Sequence, residues 1–119
     1  MLDKDGYPTE ETLAKITNWD YKDREGVLRF LAENWYYEDS AIETRKGLWV
    51  FATGGWSGNE ELIYALQENR VLWVYLTSIY YIHLSGGFYV FAITDEAQEL
   101  LNKQKHKLVK WAWNRDEVK

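Results

Sequence analysis

Residues 53–61, Thr-Gly-Gly-Trp-Ser-Gly-Asn-Glu-Glu, gather three glycines, an indole, two hydroxyls and a carboxamide between an apolar run and a helix start. Free N–H groups at a helix start attract anions, so a strand, a glycine turn and a helix have the outline of a phosphate cradle. The lysine and hydroxyl of G-x-x-x-x-G-K-[ST] are absent, G-x-G-x-x-G does not occur, and Glu60 and Glu61 would repel a phosphate. A nucleophile elbow centred on Ser57 fails at its last position, where Asn59 replaces glycine. A structural account competes with both. Ser57 and Glu60 have capping-box spacing, Thr53-Gly54-Gly55 lets the backbone leave a strand at unusual φ, and Gly58 permits close packing. Trp56 is the residue that account leaves over. Gly54, Gly55, Trp56, Ser57 and Asn59 are therefore candidates for a small nucleotide-like ligand, or for a structural turn.

Other chemistry is sparse. His83 and His106 fall on different elements with no carboxylate or histidine at ligand spacing, so neither a metal nor a cofactor is expected. The absence of cysteine removes thiol nucleophiles, thiolate zinc sites and disulfides, and fits a reducing compartment. The paired carboxylates Glu38/Asp39, Glu60/Glu61 and Asp95/Glu96 read as loop solvation and helix-start charge. No catalytic residue is marked, and the expectation is a protein that is not an enzyme.

At 119 residues the chain fits one domain, residues 1–119, able to bury roughly 65% of its unfolded surface. Its first residues are polar and acidic, unlike a secretory signal. The longest apolar-rich run, residues 71–84, is shorter than the roughly 20 residues that span a bilayer. A cytoplasmic protein without a membrane span is expected. Residues 1–102 carry 8 Lys/Arg against 17 Asp/Glu, a net of −9, and residues 103–119 carry 6 against 2, a net of +4. The acidic body disfavours nucleic acid as a partner, because backbone binding needs a basic footprint.

The elements that must position these residues follow from periodicity and caps. Thr9 caps a short helix through Leu13 and Ile16, after a flexible segment 1–8. Asp23 caps a second helix with Val27, Phe30, Leu31, Asn34 and Trp35 on one face, where Asn34 needs a partner. Residues 41–44 and 48–53 form a hairpin around Arg45-Lys46-Gly47, the second strand apolar on both faces and so central. A helix follows from Ser57 with Leu62, Ile63 and Leu66 buried. Residues 71–84 are expected as one long or bulged strand that turns at Gly86-Gly87 into Phe88–Ile93, which pairs Leu84 with Tyr89 and Ile82 with Phe91. Trp73, Tyr75, Tyr81 and His83 would then share a band on the sheet able to stack a base, a sugar or a partner's side chain.

From Thr94 or Asp95 the chain reads as a C-terminal amphipathic helix over 95–119, with a stripe of Ala97, Leu100, Leu101, Leu108 and Trp111. It would reach about 30 Å, and Lys103, Lys110 and Trp113 mark its outward side as a contact patch. A basic helix of one copy lying on the acidic body of another is self-complementary, so a protein partner or a homodimer through this helix is expected.

The Thr53–Glu61 motif, the Ala65–Arg70 segment "ALQENR", a Trp-bearing strand and Gly86–Phe91 "GGFYVF" together resemble small uncharacterised proteins of bacteriophages and prophages, over roughly residues 9–93. The resemblance implies a phage or prophage origin and brings no catalytic residues. The chain departs from it at Ile79-Tyr80-Tyr81-Ile82, where basic residues are expected, and in the helix after Thr94.

The reading is a single α+β domain: two N-terminal helices, a mixed or antiparallel sheet of about four strands interrupted by a helix, and the C-terminal helix. Its expected function is a non-catalytic binding module for a host or phage macromolecule. A small-ligand binder using the glycine-rich loop is the alternative.

Overall fold

The computed structural model describes residues 2–37, 40–78, 80–84, 87–100 and 102–103. The fold is α+β. Helices α1 (Glu10–Thr17) and α2 (Arg24–Glu33) precede strands β1 (Ala41–Arg45) and β2 (Leu48–Ala52); α3 (Ser57–Glu68) and α4 (Arg70–Thr77) precede β3 (Tyr80–Leu84) and β4 (Phe88–Ala92). Residues 95–100 and 102–103 are helical as well.

The caps explain where helices start. Thr9 accepts from the Thr12 N–H at 3.2 Å, Asp23 from Gly26 at 3.0 Å, and Thr94 from Ala97 at 3.1 Å, each satisfying a donor that the helix itself leaves open. The capping box expected at Ser57 does not form. Ser57 is already the first helical residue behind Trp56, which makes no side-chain cap bond, and its hydroxyl meets the Tyr7 hydroxyl at 3.0 Å.

The long strand expected over residues 71–84 is divided, and its first half is α4. Asn69 ends α3 and caps α4 by accepting from the Leu72 N–H at 3.3 Å, while its amide donates to the Ile16 and Trp19 carbonyls at 3.1 and 3.0 Å. Leu72 and Leu76 are then buried at helical spacing.

The sheet order is β1-β2-β4-β3, all antiparallel. The β3–β4 register is Leu84↔Phe88, Ile82↔Val90 and Tyr81↔Phe91, one residue away from the expected pairing. The connection is longer than two glycines because the Gly87 carbonyl, which accepts the Thr53 N–H at 3.0 Å, holds the start of β4. A slip of one residue exchanges faces, so Tyr81 stands level with Phe91 and Trp49 rather than with Ala92.

Trp49, Phe51, Tyr89 and Phe91 face the packed sides of α1 to α4, including Ile16, Leu28, Leu31, Leu62 and Leu72. Leu48, Val50, Val90 and Ala92 face the other way, against Ala97 and Leu100. The sheet is thus covered on both sides, which is why β2 and β4 show no polar alternation. The start of the C-terminal helix is core, not a projecting arm.

Candidate functional site

The glycine-rich loop is tied down by groups distant in sequence. Gly54 and Gly55 hold φ of +63° and +76°, the left-handed region that a β-branched residue avoids. This aims Trp56 at the N-terminal segment, where its indole N–H donates to the Gly6 carbonyl at 3.1 Å. The ring lies between Tyr7 and Tyr36, with centroids 4.8 and 5.0 Å away. Gly58 makes this possible: a β-carbon there would come within 2.6 Å of the Trp56 indole nitrogen.

Asn59 is 1% exposed. Its Oδ1 accepts from the Tyr36 N–H at 2.9 Å, and its Nδ2 donates to the Tyr36 and Thr53 carbonyls at 2.9 and 3.2 Å. The carboxamide therefore ties the Tyr36 backbone to the Thr53 carbonyl, which also accepts from the Trp56 N–H at 3.0 Å. Among the candidates in the loop, Trp56 and Asn59 spend polar groups on backbone partners within the protein, Ser57 is exposed with its hydroxyl on that of Tyr7, and Gly54 and Gly55 are exposed turn residues.

The expected aromatic band divides. Trp73 and Tyr75 lie on α4, not on a strand. Trp73 meets Tyr81 and Phe91 edge-on at 5.1 and 5.9 Å, joining the core, whereas Tyr75 is exposed beside Tyr21 at 4.8 Å. His83 is exposed on β3 and stacks on Tyr89, centroids 4.3 Å apart and planes 8° from parallel. Burial, with the neighbouring Tyr89 hydroxyl, pushes the Tyr81 phenol up to about 12. Burial also raises Tyr89, with Tyr64 and Glu60 adding to it. Both phenols are more easily ionised in the unfolded chain, so the stability they add is complete below pH 10 and is lost as pH rises above it, for Tyr81 as pH passes about 12. In an ultraviolet titration, a tyrosine ionising at about pH 12 in the folded protein should disappear in Tyr81→Phe. An unchanged titration near pH 12 would refute this assignment.

Lys103 is helical and exposed, and Lys110 and Trp113 lie outside the described residues. Among the described residues, no cluster of histidine and acidic side chains could hold a metal ion, and no helix is long and apolar enough to cross a membrane.

The surface that sequence reasoning missed is the outside of α3 and α4. Val71, Val74 and Tyr75 are 54%, 62% and 45% exposed on α4, and Tyr64 on α3 is 55% exposed. A dent of about 750 Å³ between the two helices is lined by Tyr64, Gln67, Glu68, Arg70, Trp73 and Val74. The signal was present in Val71-Leu72-Trp73-Val74-Tyr75-Leu76: taken as a helix it is apolar all round, whereas taken as a strand it has two faces to bury.

No protein-family model, curated protein or solved structure matches the chain.

Proposed function

We propose that the protein is a non-catalytic binding module of the accessory kind that phages and prophages encode, acting in the cytoplasm on a protein partner through the outer surface of α3 and α4. One observation carries this reading: α4 has apolar side chains on every side, yet Val71, Val74 and Tyr75 face outward. A helix that is hydrophobic all round belongs in an interior, and exposed apolar clusters rimmed by polar groups mark contact sites. Gln67, Glu68 and Arg70 supply such a rim beside the dent. The loop at Trp56 does not favour the small-ligand alternative, since its indole N–H and the Asn59 carboxamide are already engaged.

Val71→Glu is the test. The site is exposed and in the first turn of α4, where an acid suits the helix dipole, so the fold should be kept. In affinity capture at matched concentrations, the partner held by the wild type should be held about tenfold more weakly by the variant. Equal capture by both, or loss of capture only in Trp56→Ala at unchanged melting temperature, would move the contact to the glycine-rich loop.

A further inference from the structure

We propose that β3 is the seam of a symmetric dimer, in which Tyr80–Leu84 of two copies pair antiparallel about Ile82 and join the two sheets into one.

Among the described residues, the order β1-β2-β4-β3 leaves two edges, each with a row of backbone donors and acceptors that no further strand takes up. The two edges differ. On β1 the exposed Glu43 and Arg45 flank an irregularity in register, and charge and irregularity are the devices by which edges avoid pairing. β3 has neither. Tyr80-Tyr81-Ile82-His83-Leu84 contains no carboxylate, lysine, arginine or proline and runs in unbroken register with β4 from Tyr80↔Ala92 to Leu84↔Phe88. Among the described residues, no strand pairs with its outer side.

The strand is also its own complement. Antiparallel pairing about Ile82 sets Tyr81 opposite the second copy's His83, and by symmetry the same contact forms twice. Both rings are already fixed for it. His83 is exposed and held flat on Tyr89, while Tyr81 is held by Trp73 and Phe91.

The helical layer fits the same symmetry. A twofold axis perpendicular to the sheet keeps both helical layers on one side. Because α4 packs over β3 and β4, the two α4 helices would lie about two strand spacings apart, roughly 10 Å. That is the distance at which helices pack. Trp73 of α4 rests on Tyr81 of β3 and also lines the dent. A foreign extended peptide would complete the strand but would bring no second α4. Resting on the binding-module reading, the dimer sets two α3–α4 surfaces side by side, so a partner with two epitopes gains avidity.

The test is sedimentation velocity of the full chain from about 1 to about 500 µM, for wild type and His83→Lys. Residue 83 is exposed, so the lysine should leave the fold intact while placing a charge opposite Tyr81. The wild type should dimerise, and the variant should do so about tenfold or more weakly, with an unchanged circular dichroism spectrum. Amide exchange in β3 should slow as wild-type concentration rises. A wild type that stays monomeric throughout, or a variant that dimerises equally well, overturns the proposal. So does β3 protection that does not depend on concentration, since the chain itself would then cover the edge. Val71→Glu should dimerise normally; a wild-type monomer that still captures its partner would sink the dimer and leave the binding reading standing.

Discussion

Asn59→Asp should lower the stability of the protein by about 3–5 kcal/mol, although it replaces one atom by another of nearly the same size. The carboxamide donates to the Tyr36 and Thr53 carbonyls and accepts from the Tyr36 N–H, at a site 1% exposed to solvent. A carboxylate can keep the accepted bond but turns its second oxygen towards two carbonyl oxygens. Buried negative charge would face partial negative charge on both carbonyls, the Tyr36 carbonyl would lose the carboxamide donor, and the Thr53 carbonyl would keep only the Trp56 N–H. The same argument gives a signature that a packing defect lacks. Protonation restores one donor, so the new carboxyl should titrate above its ordinary range in the folded state, and the deficit relative to wild type should shrink as pH falls. Urea denaturation at neutral and acidic pH measures both. A loss under about 1 kcal/mol would mean that the clamp does not hold the loop.

Asn69→Ala should cost about 2–3 kcal/mol, because it removes an N-cap and leaves the Ile16 and Trp19 carbonyls without their shared donor. Asn69→Ser separates the two effects: its hydroxyl keeps an N-cap acceptor for the Leu72 N–H but gives up the donors to the Ile16 and Trp19 carbonyls without adding charge, so it should fall between wild type and alanine. Guanidinium denaturation followed by circular dichroism would order the three. Equal stability of alanine and wild type would show that α4 holds its conformation without its cap.

That residue also explains where the sequence was hard to read. Val71 to Thr77 are nearly all strand formers, and a short apolar run gives the same pattern for a buried strand and a buried helix. Asn69 decides between them, but its two donor bonds go to Ile16 in α1 and to Trp19 just beyond it, which no local window contains. Where a signal is local it was legible. Thr9, Asp23 and Thr94 mark helix starts, and the hairpin at Lys46-Gly47 follows from its glycine and the apolar strand beyond it.

The candidate site was legible only in part. The glycines of the loop were visible as a backbone device, but Trp56 was left over because its partners, Gly6, Tyr7 and Tyr36, adjoin it only in the folded chain. The capping-box pattern at Ser57 misled for a related reason: the tertiary bond to Tyr7 takes the hydroxyl that the local rule assigns to the helix. The exposed surface of α4 was hidden by the strand assignment itself, since His83 and Tyr81 were placed in a band with residues that belong to a helix.

The sheet order also sets the order of events in folding. β1 with β2, and β3 with β4, are hairpins closed by short connections, so each can begin to form on the microsecond scale. The two hairpins meet only where β2 pairs with β4, from Leu48↔Ala92 to Ala52↔Phe88, and α3 and α4 lie in the chain between them. Closing that large loop carries most of the entropic barrier, with Phe51 and Phe91 meeting at 6.0 Å across the central pair. Truncations at the β2–β4 seam should therefore slow folding, whereas truncations on the edge strands should act mainly by hastening unfolding, which stopped-flow refolding and unfolding of the variants would measure.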